Sequence, residues 1–301
     1  MDLIARAYRI PLRVPFRSLD TREGLLLKGP RGWGEFSPFP EYGPKDSKRW
    51  LAAAREAAVD GWPPPLRQRV DVNTTVPAVS PQHAHDLVTA SGCRTAKVKV
   101  GDVEDVRRVE AVRDALGPAG RIRVDANAAW DVDAARRRIL KLVPFGIEYV
   151  EQPVATLDEM MALRKRVDVP LALDESLRTA PDPLHLDVRE AADVVVLKVQ
   201  PLGGVRRALQ IAEAAGVPAA VSSALESSVG IAAGVALAAA LPELPYACGL
   251  GTVPLLAGDV VADPFVPRDG YLDVRGVEVA PDLGGFEIDA GQWIKRLETL
   301  E

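Results

Sequence analysis

Three acidic residues in the middle of the chain, Asp125, Glu151 and Asp174, each end a short apolar-rich run. If these runs lie side by side, the carboxylates repel one another strongly unless a cation neutralises them. Oxygen ligands favour Mg²⁺, with Mn²⁺ as a substitute, over zinc, which prefers histidine and cysteine. The pattern predicts one divalent cation on the three carboxylates, although each residue taken alone fits a helix cap or an ion pair. Glu175 competes with its neighbour Asp174 as a ligand, but its side chain should point the other way.

Lysines end the runs on either side of the acidic ones. Lys97 and Lys99 are two residues apart, so both project from one face of a strand. Lys198 ends an apolar run and is costly to bury unless it faces a polar centre; the alternative is a lysine that reaches solvent at the rim. A metal can stabilise the enediolate formed when a substrate carboxylate loses its α-proton, and a neutral lysine can be the base. We expect positive charge from the metal and from Lys97 to lower the pKa of Lys99 towards neutrality.

These residues need a scaffold that brings strand ends together, and the central part of the sequence alternates accordingly. Alternating strands and helices indicate a parallel sheet with crossover helices. Apolar and β-branched runs predict strands at 70–76, 95–100, 121–125, 147–151, 171–174, 194–198, 219–222 and 246–249, and amphipathic periodicity predicts helices at 103–116, 132–143, 157–166, 205–215 and 227–240.

The spacing of the strand ends distinguishes between two parallel folds. Their polar residues fall at positions 99, 125, 151, 174, 198 and 222, at intervals of 26, 26, 23, 24 and 24 residues. Each interval matches one βα unit of a barrel. An open doubly wound sheet is the alternative, but it would more often carry a glycine-rich phosphate loop near its first strand, and we find none. We therefore predict an α/β fold with a TIM-type barrel and an active site at the carboxyl ends of its strands.

The two ends of the chain differ from this pattern. Residues 3–12 and 24–28 have strand character, and residues 47–59 have a helical periodicity that Gly61 ends. Residues 258–301 lose the βα alternation and contain several prolines and glycines. We expect this last stretch to pack back against a small N-terminal sheet.

Bulk properties argue against several classes of protein. The net charge is −5 and there is no dense run of lysine and arginine, so we expect no nucleic-acid partner. Cys93 and Cys248 share no short motif, which predicts no disulfide framework and fits a reducing cytoplasm. The longest apolar run, residues 229–241, is shorter than the about 20 residues of a membrane span, so we expect no membrane partner. The oligomeric state is not readable from the sequence.

Five motifs in order resemble the enolase superfamily, in its muconate lactonizing enzyme subgroup. The resemblance implies a modified TIM barrel, (β/α)7β, over residues 70–258, with an α+β capping domain built from both chain ends, residues 1–69 and 259–301. The motifs are Lys-x-Lys at 97–99, Asp-Ala-Asn at 125–127 followed by Trp130, Glu-Gln-Pro at 151–153, Asp-Glu-Ser at 174–176 and the strand that ends at Lys198.

The same resemblance implies roles for individual residues. Ser222 and Ser223 are candidates to hydrogen-bond the substrate, and the alternative is that this pair simply caps the next helix. The implied metal ligands are Asp125, Glu151 and Asp174, the implied acid/base lysines are Lys99 and Lys198 with Lys97 assisting, and the candidate substrate ligands are Asn127, Ser222 and Ser223.

Within the subgroup, the short chain and the segments 247–252 and 255–260 are most similar to the o-succinylbenzoate synthase family of menaquinone biosynthesis. That family dehydrates a small carboxylate, 2-succinyl-6-hydroxy-2,4-cyclohexadiene-1-carboxylate. The resemblance implies that Lys99 removes the α-proton and then protonates the departing hydroxyl, while Lys198 stays cationic against the ring. The chain departs from the subgroup in its short capping segment and in a brief loop at 16–20, which closes over the substrate in relatives.

Other activities of the subgroup use the same residues. An N-succinylamino acid racemase would employ Lys198 as a second base, and a muconate cycloisomerase stays open as well. A dipeptide epimerase should carry Asp-x-Asp at the last barrel strand, but residues 249–254 contain no acid, which disfavours dipeptides. A barrel that binds a metal without turnover would lack one of the lysines or carboxylates, and none is missing.

Overall fold

The computed structural model describes residues 4–16 and 19–300. Arg17 and Ser18 of the loop expected at 16–20, and the first residue of the strand expected at 3–12, lie outside the described residues. A four-stranded antiparallel sheet takes three strands from the start of the chain and one from its end, in the order β13-β1-β2-β3. These strands are β1 (Ile4–Phe16), β2 (Leu19–Gly29), β3 (Gly32–Phe36) and β13 (Glu287–Ile288).

One helix, α1 (Pro44–Arg55), packs on this sheet and buries Trp50, whose ring lies edge-on to the Phe39 ring within a cluster of apolar side chains. The helix starts three residues before the predicted 47–59 because proline suits a first helical turn. A π-helical turn follows and ends at Gly61, whose φ of 69° favours glycine. The predicted end of the helical segment is therefore confirmed.

Eight parallel strands form a ring within the second sheet, which has nine strands. Each strand from β4 to β9 pairs with the next, and β11 pairs with β4. A parallel bridge between Ser222 and Gly249 joins the strands at the two ends of this order and closes the ring. A Cβ at position 249 would lie 2.5 Å from the Ser222 Oγ, so glycine lets the two strands approach without moving that hydroxyl. The strands are β4 (Arg69–Val76), β5 (Thr95–Lys99), β6 (Arg121–Asp125), β7 (Ile147–Glu151), β8 (Leu171–Leu173), β9 (Val194–Leu197), β10 (Ala219–Val221) and β11 (Cys248–Gly251).

Helices connect successive strands of this ring. Seven strand-to-helix units followed by a last strand confirm the predicted (β/α)7β barrel. Thr156 begins α5 with a capping box, and Ser227 caps α10. These connecting helices are α2 (Pro81–Ser91), α3 (Asp105–Leu116), α4 (Val132–Leu142), α5 (Leu157–Arg164), α6 (Glu175–Arg178), α7 (Val188–Ala191), α8 (Val199–Leu202), α9 (Val205–Ala215) and α10 (Ser228–Ala240). A further helix, α11 (Gly291–Glu298), follows β13.

Strand ends match the prediction closely, with small differences that have local causes. Strands β8 and β9 end one residue before Asp174 and Lys198, because these two residues already begin the turns into the short helices α6 and α8. Strand β11 starts at Cys248 rather than at 246, since its pairing with β4 begins between Cys248 and Val72. The charged residues nevertheless all reach the carboxyl rim of the barrel.

The last part of the chain contacts both sheets. Strand β12 (Tyr271–Asp273) pairs antiparallel with β4 of the barrel, whereas β13 pairs with β1. Trp293 of α11 meets the Phe36 ring edge-on, with centroids 5.9 Å apart. The domain boundaries at residues 69 and 258 stay a prediction. Within residues 4–16 and 19–300, none of the helices is both long enough and apolar enough to cross a membrane.

Candidate active site

The charged strand ends meet at the carboxyl rim of the barrel. Lys99, Asp125 and Glu151 occupy matching positions on the adjacent strands β5, β6 and β7. The Asp125, Glu151 and Asp174 side chains are fully buried. Parallel pairing in register therefore converts the regular sequence spacing into one cluster.

Lys97 lies between two of the carboxylates. Its Nζ is 3.1 Å from the Glu151 Oε1 and 3.2 Å from the Asp125 Oδ2. Burial acts to lower the pKa of Lys97, but the charges of Glu151 and Asp125 outweigh it, so the pKa is raised. In this arrangement the two carboxylates therefore favour the ammonium form of Lys97.

Lys99 lies in a different environment although it is only two residues away. Its Nζ donates to the Asp125 Oδ2 and to the Asn127 Oδ1, both at 2.6 Å, and lies 5.3 Å from the centre of the Phe16 ring. Burial lowers the pKa of Lys99, Asp125 opposes this, and the charge of Lys97 adds to the lowering. The predicted direction is confirmed, although burial, its largest cause, was not part of the prediction.

Lys198 pairs with the third carboxylate. Its Nζ donates to the Asp174 Oδ2 at 2.6 Å, and the Arg178 Nε donates to the Asp174 Oδ1 at 3.1 Å. Arg178 also donates to Glu175 at 2.8 Å, and the Asn127 side-chain amide donates to the same Glu175 oxygen at 3.1 Å. Glu175 thus faces Asn127 and Arg178, which hold it beside the cluster.

The carboxylates compete with one another for positive charge. Burial and the charge of Asp125 raise the pKa of Glu151 to about 7. Burial and the charge of Asp174 raise the pKa of Glu175 to about 8. The Glu175 Oε2 is buried and accepts no hydrogen bond in the described part of the chain. The cluster therefore has unmet capacity for a further cation.

The carboxylate oxygens fit a hard divalent cation, although in this structure lysine ammonium groups lie against them. Among the described residues, no three acidic, histidine or cysteine side chains are placed so that they could hold a metal ion as they stand. Ammonium groups explain this, because Lys97 bridges Asp125 and Glu151 while Lys198 holds Asp174. Buried carboxylates on one rim are the ligands that Mg²⁺ and Mn²⁺ prefer. A cation on these carboxylates would have to displace the ammonium groups.

A cavity of about 30 Å³ adjoins the cluster. Because small-molecule pockets are usually about 300 Å³ or larger, a ligand must displace some of the lining side chains. Ser227 caps the next helix, so Ser222 and Ser223 do not serve as its cap. The cavity lining includes the predicted Lys97, Lys99, Lys198, Asn127, Ser222 and Ser223.

Several residues of the cavity wall were not predicted. Thr75 and Thr252 come from the ends of the first and last barrel strands, and Phe39 comes from the N-terminal segment. The Thr75 Oγ1 is buried without a partner among the described residues. Thr75 pairs in register with Lys97, so the barrel spacing could have identified it. Phe39 could not be identified, because no periodicity links it to the barrel.

Comparisons with known proteins agree with this geometry. Residues 80–289 match the family described as Enolase C-terminal domain-like, and residues 7–58 match Enolase N-terminal domain-like. The o-succinylbenzoate synthase of Thermobifida fusca is 60% identical over 98% of this chain and 95% of the relative. That of Mycolicibacterium smegmatis is 51% identical over 91% of this chain and 87% of the relative.

Solved structures show the same fold. Muconate lactonizing enzyme from Pseudomonas fluorescens, complexed with muconolactone, matches with a TM-score of 0.82 and 23% identity over 95% of this chain and 98% of that one. The N-succinyl Arg/Lys racemase from Bacillus cereus matches with a TM-score of 0.80 and 22% identity over 96% and 99%. With both domain families matched along most of its length, the chain belongs to the enolase superfamily.

Proposed function

We propose that this enzyme dehydrates 2-succinyl-6-hydroxy-2,4-cyclohexadiene-1-carboxylate to o-succinylbenzoate in menaquinone biosynthesis. The observation that carries the proposal is the identity of 60% over 98% of the chain with a protein named o-succinylbenzoate synthase. The buried cluster of lysines and carboxylates supplies the groups that such an elimination needs. The chemistry can be assigned residue by residue.

Lys99 is the acid and the base of the reaction. Burial favours its neutral form, which accepts the α-proton of the substrate. The resulting ammonium group returns that proton to the departing hydroxyl, and water leaves as the ring becomes aromatic. Asn127 orients the amine through its 2.6 Å contact. One residue therefore carries the proton between two positions of the same substrate.

Lys97 and Lys198 stay cationic during this reaction. The charges of Glu151 and Asp125 raise the pKa of Lys97 as long as no metal neutralises them, and we assign its ammonium group an electrostatic role in the reaction. Lys198 lines the cavity and presents its ammonium group to the ring and to the developing enediolate, a use of cation–π attraction. Neither residue needs to exchange a proton in the elimination.

Asp125, Glu151 and Asp174 would hold the divalent metal that enzymes of this superfamily use. We assign Mg²⁺, with Mn²⁺ as a substitute, because the ligands are all oxygen. When bound, the metal neutralises the substrate carboxylate and stabilises the enediolate. The charge of Asp125 raises the pKa of Lys99, so neutralising Asp125 lowers that pKa further and favours the free amine.

The cavity wall binds the rest of the substrate. Ser222, Ser223 and Asn127 offer hydroxyl and amide groups to the succinyl carboxylate and its neighbours. Residues 1–69 and 259–301 form the capping domain of this proposal, and residues 70–258 form the barrel. We assign the small-molecule carboxylate substrate as the binding partner of this enzyme. We assign the cytoplasm as its compartment.

The direct test is turnover of the cyclohexadiene substrate by purified protein with Mg²⁺, followed as loss of diene absorbance. Lys99→Ala and Lys198→Ala should each lower kcat by at least about 10³-fold with an unchanged circular dichroism spectrum. The exposed Lys141→Ala is the matched control and should retain wild-type rates. Near-wild-type turnover in either active-site variant would sink the two-lysine assignment.

A racemase is the second candidate, because Lys99 and Lys198 line the same cavity, as two-base proton transfer requires. N-Succinylamino acids in deuterated water distinguish the two activities, since racemisation exchanges the α-proton. Racemisation without any loss of the diene would replace the dehydratase proposal with this one.

A further inference from the structure

The turn after β10 carries part of the cavity wall in an uncommon backbone conformation. Ser223, Ala224 and Leu225 all line the cavity. Leu225 has a φ of 62°, in the left-handed region that a leucine rarely adopts. Such a conformation persists only where surrounding groups hold it, and it is often found at ligand sites. The groups that hold this turn therefore bear on the site.

Arg22 of strand β2 reaches this turn from the N-terminal sheet. Its Nε donates to the Leu225 carbonyl at 3.0 Å, and its Nη2 donates to the Ala224 carbonyl at 3.3 Å. The side chain is 2% exposed and also donates to the Ser37 carbonyl and hydroxyl, which fixes the guanidinium in place. The guanidinium carbon lies 4.5 Å from the centre of the Phe39 ring, another part of the cavity wall.

Bonds within the turn complement this restraint. The Ala224 N–H donates to the Glu226 carboxylate at 2.6 Å, and the Leu225 N–H donates to the Ser223 hydroxyl at 3.3 Å. That hydroxyl also lies 2.8 Å from the Thr252 hydroxyl in the cavity wall. The turn holds its own N–H groups, whereas Arg22 holds its carbonyl groups. A change in the turn therefore moves a hydroxyl and a leucine that face the ligand.

We propose that Arg22 is a positioning residue, which holds Leu225 in its left-handed conformation and so sets the shape of the cavity wall that the substrate meets. The inference rests on the proposed function, because it takes this cavity as the substrate site. It makes the seating of the N-terminal sheet on the barrel part of substrate recognition. We expect Arg22 to affect substrate binding rather than proton transfer, because Lys99 and Lys198 line the cavity whereas Arg22 contacts residues that form its wall.

The test replaces Arg22 and separates binding from chemistry. Arg22→Met should raise KM for the cyclohexadiene substrate, and the calorimetric Kd for the product with Mg²⁺, by about tenfold, the effect of losing charged hydrogen bonds to buried carbonyls. We expect kcat to change by less than about threefold, because Lys99 is untouched. Arg22→Lys keeps a donor and should lie between the two. Arg13→Met is the control. The Arg13 guanidinium also donates to two backbone carbonyls, those of Leu256 and Ala257, but these residues are not part of the cavity wall.

A double-mutant cycle identifies the mechanism. Leu225→Gly removes the strain, because glycine adopts positive φ without cost. In that background Arg22→Met should raise KM by less than about threefold, a clear departure from additivity. A merely structural role for Arg22 would not produce this coupling at one backbone position.

Each outcome bears on one conclusion. A wild-type protein without dehydratase activity overturns the proposed function and this inference with it. An active wild type whose KM and product Kd are unchanged by Arg22→Met, or in which the two substitutions act additively, overturns the inference alone. If Arg22→Met does not fold, Arg22→Lys with and without Leu225→Gly gives the same comparison.

Discussion

At the scale of single residues, Lys97 and Lys99 are two positions apart on one strand, yet the pKa of Lys97 is raised and that of Lys99 is lowered. Asp125, Glu151 and Lys99 could be predicted because each ends a strand and the strands recur at one interval. That Lys97 would bridge two carboxylates could not be predicted, since it depends on side-chain conformations inside the ring. The difference in pKa between Lys97 and Lys99 follows from these contacts. The structure therefore adds a reason why only one of two neighbouring lysines suits the role of base.

The pH dependence of catalysis tests this difference. The free base is needed, so kcat/KM should rise with pH through the pKa of Lys99, and the rising limb should lie below the ordinary lysine value of 10.5. Asn127→Asp places a second carboxylate 2.6 Å from the amine, favours the ammonium form and should move the limb to higher pH. A pH–rate profile of each protein gives the shift. An unmoved limb in Asn127→Asp would argue that another group is the base.

At the scale of elements, carboxylates of the N-terminal segment bind the starts of two barrel helices. Glu35 accepts hydrogen bonds from the Ser227 and Gly230 N–H groups at the start of α10. Glu56 accepts from the Val205 N–H at the start of α9. Helix N-termini favour such carboxylates because their N–H groups are unpaired and their dipole is positive. The sequence predicted the helices but not these contacts, which join residues far apart in the chain.

Glu226, just before α10, provides a test of this interface. Burial and the nearby Glu35 raise its pKa to about 7 in the folded protein, above the ordinary value of 4.5. The folded state thus binds the proton more tightly, so this stabilising contribution is present below pH 4.5 and is lost as the pH rises through about 7. Glu226→Gln, which keeps an acceptor for the Ala224 N–H, should raise the free energy of unfolding at pH 8 by up to about 3 kcal/mol.

Urea unfolding at pH 5 and pH 8 measures this effect. The Glu226→Gln protein should lose less stability than the wild type between the two values. Glu213→Gln, on the exposed surface of α9, is the control and should follow the wild type. Equal pH dependence in the wild type and Glu226→Gln would show that Glu226 is ionised throughout.

At the scale of the whole molecule, the barrel was predictable because the polar residues at its strand ends recur at nearly regular intervals in the sequence. The pairing of the last part of the chain was harder to predict. Strand β12 pairs with the barrel and β13 pairs with the N-terminal sheet, and both strands are very short. The pairing of β12 uses the first three residues of β4, which lie outside the stretch that pairs with β5, and local sequence does not encode this arrangement. The cavity wall likewise combines predictable and unpredictable residues. Its lysines come from the barrel repeat, and Phe39 comes from outside it.

The response to metal removal is a property of the whole fold. Chelation should abolish turnover yet leave the protein folded, because Lys97 and Lys198 already neutralise the buried carboxylates. Saturating Mg²⁺ should still raise the thermal midpoint, since a ligand at about 100 times its Kd stabilises by about 2.7 kcal/mol. In Lys97→Met the ammonium between Asp125 and Glu151 is lost, so the midpoint should depend more steeply on Mg²⁺. Calorimetry with EDTA and with Mg²⁺ compares the two proteins, with Lys141→Met as the control. Unfolding of the wild type by EDTA, or an identical Mg²⁺ shift in Lys97→Met, would contradict the exchange of ammonium for metal on which the site depends.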